Sequence, residues 1–201
     1  SEDGLYINGH VTGNSPYLTF EWKAGKDGEH HEVKTQLIGE YNFANALAAV
    51  TIGHFFDVES GKIDTALKEY TPQNNRSQLK QTADNTLIID AYNANPTSMQ
   101  ASISNFHNME IDNKMLILGD MRELGKDGPK EHQKIVDFLT ECGFKDVMLV
   151  GEQFAAARHD FPTYPDAPAV IEALQKNKPH GKTILIKGSN GIKLSTVIDY
   201  L

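Results

Sequence analysis

Four short apolar runs punctuate the second half of the chain: "TLIID" (86–90), "KMLILGD" (114–120), "DVMLVG" (146–151) and "TILIKG" (183–188). Each is followed by a segment with helical character, beginning at Pro96, at Pro129, with "EQFAAARH", and after "KGSNG". Strands in alternation with helices predict an α/β domain built on a mostly parallel sheet. Parallel strands all end along one edge, where ligands of such sheets sit. Asp90, Asp120 and "KGSNG" (187–191) each follow a strand directly, so residues far apart in sequence are expected to converge there. Helix punctuation agrees. Asn95 precedes a helix whose first residue is Pro96, Gly143 follows "DFLTEC", and Leu194, Val197, Ile198 and Leu201 recur at i, i+3, i+4 and i+7, which predicts a C-terminal helix.

The first third reads differently. Apolar residues alternate with polar ones through Leu5 and Ile7, then Leu18, Phe20 and Trp22, then Val33, Thr35 and Leu37, with "GKDGE" as a turn, and this predicts antiparallel strands. "YNFANALAAVTIGHFF" is apolar nearly all round and predicts a buried helix, and "SGKIDTALKEYTP" predicts a second helix stopped by Pro72. From Gln73 to Gln81 the sequence turns polar, "QNNRSQLKQ", and marks a hinge or domain boundary, giving domains 1–72 and 73–201.

Composition narrows the function classes. With a net charge of -8 and scattered Lys and Arg, the chain lacks the basic face that nucleic acid or an anionic membrane requires, so any phosphate site is a local cluster. No apolar run is long enough to span a bilayer and "SEDGLYINGH" is no signal peptide, so a soluble, cytoplasmic protein is expected. Cys142 is the single cysteine and lies on the apolar side of a helix, which reads as packing. The eight histidines are taken as surface residues. His30 and His31 are adjacent and point to opposite faces of a strand, with no ligand spacing nearby, so no metal site is expected. "GKT" (181–183) precedes its strand and lacks the upstream glycine of a phosphate loop, and neither Gly-x-Gly-x-x-Gly nor Gly-x-Ser-x-Gly occurs.

What remains is the strand-to-helix turn "DAYNANPTSM" (90–99). Asp90 is placed to accept from a ribose hydroxyl, and Asn93, Asn95 and the backbone N–H groups from Thr97 onward face an incoming anion at the positive helix end. Read that way, loss of Asp90 weakens nucleotide binding and spares the fold. The alternative is that Asp90 and Asn95 only cap and turn.

Taken together, "GEYNFANALAA", the arginine of "NNRSQ", "IIDAYNANPTSM", "LGDMRELG" and "KGSNGIKL", in that order, resemble the ATP-dependent Mur ligases of peptidoglycan synthesis, over nearly the whole chain. The resemblance implies a Rossmann-like C-terminal domain at 73–201, preceded in 1–72 by the antiparallel strands and helices that end a central ATP-binding domain. It implies that ATP phosphorylates the carboxylate of UDP-N-acetylmuramoyl-tripeptide and that the amine of D-Ala-D-Ala attacks the acyl phosphate. ATP and Mg2+ are the implied cofactors. The phosphate loop and magnesium ligands are expected before Ser1, so the chain reads as an inactive C-terminal fragment, and as a monomer. By resemblance, Asn42 and Asn45 lie beside adenine, Arg76 approaches the nucleotide phosphates and Asp90 holds the ribose. Tyr92, Asn93 and Asn95 face phosphate and peptide, while Arg122, Lys187 and Ser189 stand near the incoming amino acid and its carboxylate; Arg76, Arg122 and Lys187 supply catalytic charge. Two other classes fit less of this: another Mur or folylpolyglutamate-type ligase, and a non-catalytic Rossmann-like nucleotide-binding module.

Overall fold

The computed structural model describes residues 6–73 and 75–201. Leu5, placed above in the first strand, lies outside them. The chain divides into two compact units, the first ending at Pro72 and the second beginning at Gln73.

In the first unit, β1 (Ile7–Asn14), β2 (Tyr17–Ala24) and β3 (His31–Ile38) form an antiparallel sheet in that order. The alternation does what period-2 patterning requires: Leu18, Phe20, Trp22 and Val33 turn inward and are almost wholly buried. Against this face pack α1 (Phe43–Phe55), through Ala46 and Val50, and α2 (Ser60–Glu69), through Ile63. Asp64 fastens α2 to the sheet. Its carboxylate accepts from Trp22 Nε1 at 2.8 Å and from His31 Nδ1 at 2.9 Å, and the Trp22 and His31 rings stack with centroids 4.4 Å apart. The expectation of a buried α1 fails. Of its residues only Ala46 and Val50 are buried, and Ile52, Phe55 and the following Phe56 stand in the open. One unit offers the helix one sheet to lie on, which covers one face, whatever the sequence offers on the others.

The second unit is a sheet in the order β4-β5-β9-β6-β7-β8, made of β4 (Gln78–Gln81), β5 (Thr86–Asp90), β6 (Lys114–Gly119), β7 (Val147–Val150), β8 (Thr163–Tyr164) and β9 (Thr183–Lys187). All neighbours run parallel except β4 against β5. Helices α3 (Pro96–Asn108), α4 (Gly128–Glu141), α5 (Glu152–Ala156) and α6 (Ala167–Lys176) make the crossovers. From β5 to β8 the chain moves across the sheet in one direction, then returns through α6 to insert β9 in the middle. Right-handed crossovers put a helix made on the return onto the opposite face. Accordingly α6 covers Leu87, Ile89, Ile117, Ile184 and Ile186, while α3 and α4 pack together, and their Met99, Ile103, Ile135 and Leu139 are as buried as the alternate strand residues Ile88, Leu116, Leu118 and Leu185.

Three further expectations change. Part of the polar stretch 73–81 is not linker, since Gln78–Gln81 is an edge strand whose exposed side chains suit a position paired on one side only. The C-terminal helix is a 3₁₀ helix, Leu194–Tyr200, although Leu194, Val197, Ile198 and Leu201 are all buried as the spacing requires. Strand β8 and helix α6 were not anticipated, though Asp166, accepting from Ala169 N–H, and Pro168 mark the helix start. Helix α4 ends as its glycine predicts, with Phe144 N–H bonded to Leu139 O and Gly143 N–H to Thr140 O at positive φ.

Replacing Asp64 with Ala leaves the buried Trp22 N–H without its acceptor and frees His31. The expected cost is about 1–3 kcal/mol, read as a lower urea midpoint in the fluorescence of Trp22, the chain's only tryptophan. An unchanged midpoint would show that α2 is held by apolar packing alone.

Candidate functional site

At the carboxyl edge of the second unit, register sets Lys187 opposite Asp90 on one side and Leu118 on the other. The lysine is 1% exposed. A side-chain amine so enclosed needs polar partners, and Lys187 Nζ lies 2.6 Å from Asp90 Oδ2 and donates to Asn93 O at 3.3 Å. Ser102 of α3 donates to the same Asp90 oxygen at 3.2 Å. Asp90 therefore does not cap α3; Asn95 does. The Asn95 side chain accepts from Ser98 N–H at 2.8 Å, and Ser98 Oγ takes the Asn95 N–H in return, a full capping box followed by Pro96. Asn93 is exposed, and its side-chain oxygen accepts from the next residue's N–H, that of Ala94, at 2.8 Å.

The next strand end is joined to this one by Ser189. Its hydroxyl accepts the Arg122 N–H at 2.8 Å and lies 3.5 Å from Ala94 O, tying the loop after β6 to the loop after β5. Glycines let these loops close on one another. A Cβ on Gly188 would sit 3.0 Å from Gly119 Cα, and one on Gly191 would sit 2.5 Å from Arg122 Nη1. One strand over, Asp120 caps the short α5 by accepting from Gln153 and Phe154 N–H at 3.0 Å each. Gly151, at φ 120°, leaves no room for a Cβ beside that carboxylate.

Between the loops after β6 and β7 lies a cavity of about 630 Å³, lined by Arg122, Glu123, Leu124, Glu152 and Gln153 among others. Arg122, Glu123 and Glu152 are exposed, and none of the three side chains carries a hydrogen bond or ion pair to another described residue. Arg76 is likewise uncommitted in its donors, but its guanidinium lies over the Tyr92 ring, 3.8 Å from the centroid. In the first unit Asn42 and Asn45 do meet as their spacing predicts, Asn45 Nδ2 donating to Asn42 Oδ1 at 3.4 Å, with Asn42 Nδ2 anchored on Ile38 O at 2.8 Å.

The family description "Mur ligase, glutamate ligase domain" matches residues 75–190, more than half of the chain. The chain belongs to the Mur ligase family. A curated Mur ligase from Bacillus subtilis, UDP-N-acetylmuramoyl-tripeptide--D-alanyl-D-alanine ligase, is 29% identical over 92% of this chain and 44% of its own length. A crystal structure of MurF from Acinetobacter baumannii superposes with a TM-score of 0.84 at 25% identity, covering 98% of this chain and 45% of that one. MurF from Thermotoga maritima, solved in complex with ADP, shares the fold with a TM-score of 0.80 at 16% identity over 99% of this chain and 46% of its own. The chain thus spans less than half the length of these Mur ligases.

Within the Mur ligase fold, one class of residue escaped the sequence reading. Histidines were expected at the surface, yet His132 is fully buried under the cavity floor. Its Nδ1 lies 2.7 Å from Gly128 O and its Nε2 accepts from Met121 N–H at 3.0 Å, which fixes the ring and the course of the loop that carries Arg122. The signal was present, because His132, Ile135, Val136 and Leu139 form the i, i+3, i+4, i+7 stripe of α4. Cys142, half-buried at the end of α4, has its thiol pushed above the ordinary range by burial first and by the Glu141 charge second, the opposite of an activated nucleophile. Among the described residues no group of three or more His, Cys, Asp and Glu side chains could hold a metal ion.

The pair with Lys187 sets a different expectation from the one in which Asp90 is lost without harm to the fold. Either Asp90→Ala or Lys187→Met leaves a charge enclosed without its partner and is expected to cost about 3–5 kcal/mol. The double variant, which removes both charges, should recover much of that in urea unfolding. Losses that simply add would deny the coupling.

Proposed function

We propose that this chain is the part of an ATP-dependent amide ligase that receives D-Ala-D-Ala and closes the nucleotide site, in the reaction that extends UDP-N-acetylmuramoyl-tripeptide for peptidoglycan synthesis. One observation carries the reading: the cavity beside Arg122 presents a guanidinium and two carboxylates, Glu123 and Glu152, that no other described residue engages. A dipeptide zwitterion has the complementary charges. Its carboxylate pairs with the fork of Arg122, and its ammonium is drawn to the acidic rim.

The chemistry follows from positioning and charge. ATP transfers its terminal phosphoryl group to the tripeptide carboxylate, and the deprotonated amine of the dipeptide attacks the acyl carbon, forming the amide and releasing phosphate. Such a transfer asks the protein chiefly for orientation and for positive charge near the phosphates. Arg76 supplies that charge from the second unit. Asp90, held in place by Lys187 and Ser102, offers its remaining acceptor capacity to the ribose; within the first unit, Asn42 and Asn45 present paired amides of the kind an adenine edge accepts. Tyr92, Asn93 and Asn95 line the loop that faces phosphate and peptide. Lys187, enclosed as it is, and Ser189 act by holding the loops that carry Asn93 and Arg122. Magnesium, which the phosphates require, takes its ligands outside the described residues. No helix among the described residues is long and apolar enough to cross a membrane, and the nucleotide-linked substrates put the reaction in the cytoplasm, with a monomer as the working form.

Because the relatives that carry the ligase name are more than twice as long as their matched portion, this chain alone should leave ATP and D-Ala-D-Ala unreacted. In the ligase assembled with the remaining length, Arg122→Ala should raise KM for D-Ala-D-Ala by about 10- to 100-fold, the scale of a charged hydrogen bond, and leave KM for ATP near its original value. A KM for the dipeptide that stays unchanged would remove the cavity from the reading.

A further inference from the structure

Arg76 stands in an unusual setting. The residues on either side of it, Asn75 at φ 58° and Ser77 at φ 45°, both adopt the left-handed conformation that residues other than glycine seldom take. Two such residues in so short a span turn the backbone sharply and throw the intervening side chain to one side. That side is occupied by Tyr92, two residues beyond Asp90 and 46% exposed, with the guanidinium carbon of Arg76 over its ring, 3.8 Å from the centroid. Among the described residues no acid holds the arginine, and its donors carry no hydrogen bond to any of them.

The manner of holding matters. A carboxylate partner would fix Arg76 equally well, but it would neutralise the charge and occupy the fork. An aromatic face grips the guanidinium through its plane and leaves every N–H, all of which lie in that plane, directed outward. An arginine held this way is oriented in advance and still able to meet an oxyanion with two parallel hydrogen bonds. We infer that Tyr92 is a positioning residue, whose ring is the shelf that pre-orients Arg76 for a phosphate group. This rests on the nucleotide-ligase reading of the site, and it assigns to the tyrosine a task on the arginine rather than on the substrate.

The ring rather than the hydroxyl makes the contact, so the conservative variant is informative. In the isotopically labelled chain, the ring current of Tyr92 should displace the Arg76 side-chain proton resonances upfield; Tyr92→Phe should keep the displacement and Tyr92→Leu abolish it. Titration with tripolyphosphate, followed by isothermal titration calorimetry, supplies the second readout. Tyr92→Leu is expected to weaken binding by about two- to fivefold, the scale of an exposed cation–π contact, with Tyr92→Phe like the parent. Arg76→Ala should weaken it at least as much, and Arg76→Ala with Tyr92→Leu should lose nothing further, since the ring acts only through the arginine. Parent-like binding by Tyr92→Leu, with Arg76→Ala impaired, would overturn this inference and leave the ligase reading standing. Indifference of tripolyphosphate binding to Arg76→Ala would remove the phosphate role from Arg76, and the shelf with it.

Discussion

The buried pair of Lys187 and Asp90 is the interaction on which the site depends. A charged lysine in the middle of a parallel sheet is unfavourable unless its partner is in place, and here the partner stands at the end of the neighbouring strand, 2.6 Å away. The pair fixes more than two side chains. Through Asn93 O the ammonium also holds the turn after β5, and through Ser102 the carboxylate holds α3. The turn "DAYNANP" is thereby locked before any ligand arrives.

From that fixed point the other loops are built by contact. Ser189, two residues beyond Lys187, carries the constraint to the backbone of Arg122, and His132 anchors the same loop from below. Glycines at 119, 151, 188 and 191 remove the side chains that would hold the loops apart. The polar residues consequently fall into two sets. Asp120, His132, Asn95, Ser189 and Lys187 spend their hydrogen bonds on the protein, whereas the side chains of Arg76, Arg122, Glu123 and Glu152 make none to another described residue. Preorganisation of this kind, in which rigid committed groups position uncommitted charges, is what a site for transferring phosphoryl and acyl groups requires.

Much of this was legible in the sequence. The apolar runs and their helices gave the α/β unit, Asn95 and Pro96 gave the start of α3, and the motif order gave the Mur ligase kinship. Where the reading failed, it failed on questions of partnership. Helix α1 was read as buried because its residues are apolar all round, but burial depends on what lies against a face, and the three-stranded sheet covers only one. His132 was read as a surface residue because histidine usually is one, although it sits in an apolar stripe whose geometry supplies both ring nitrogens with backbone partners. The short β8 has too few residues to show a period, and β4 is polar because its position at the sheet edge permits it.

The sequence by itself determined which segments are strands and helices along most of the chain, and which residue types gather at the sheet edge, because periodicity and capping are local and each is written within a few residues. Only the tertiary structure decided how those residues are employed. Asp90 and Lys187 are 97 residues apart, and nothing local to either announces that β9 returns to lie beside β5. That return follows from crossover handedness and from burying both faces of one sheet, and it is what turns two separate candidates for ligand contact into one enclosed ion pair. The same long-range packing leaves Arg76 on an aromatic ring and Arg122 at the mouth of a cavity, each guanidinium without a hydrogen bond to another described residue.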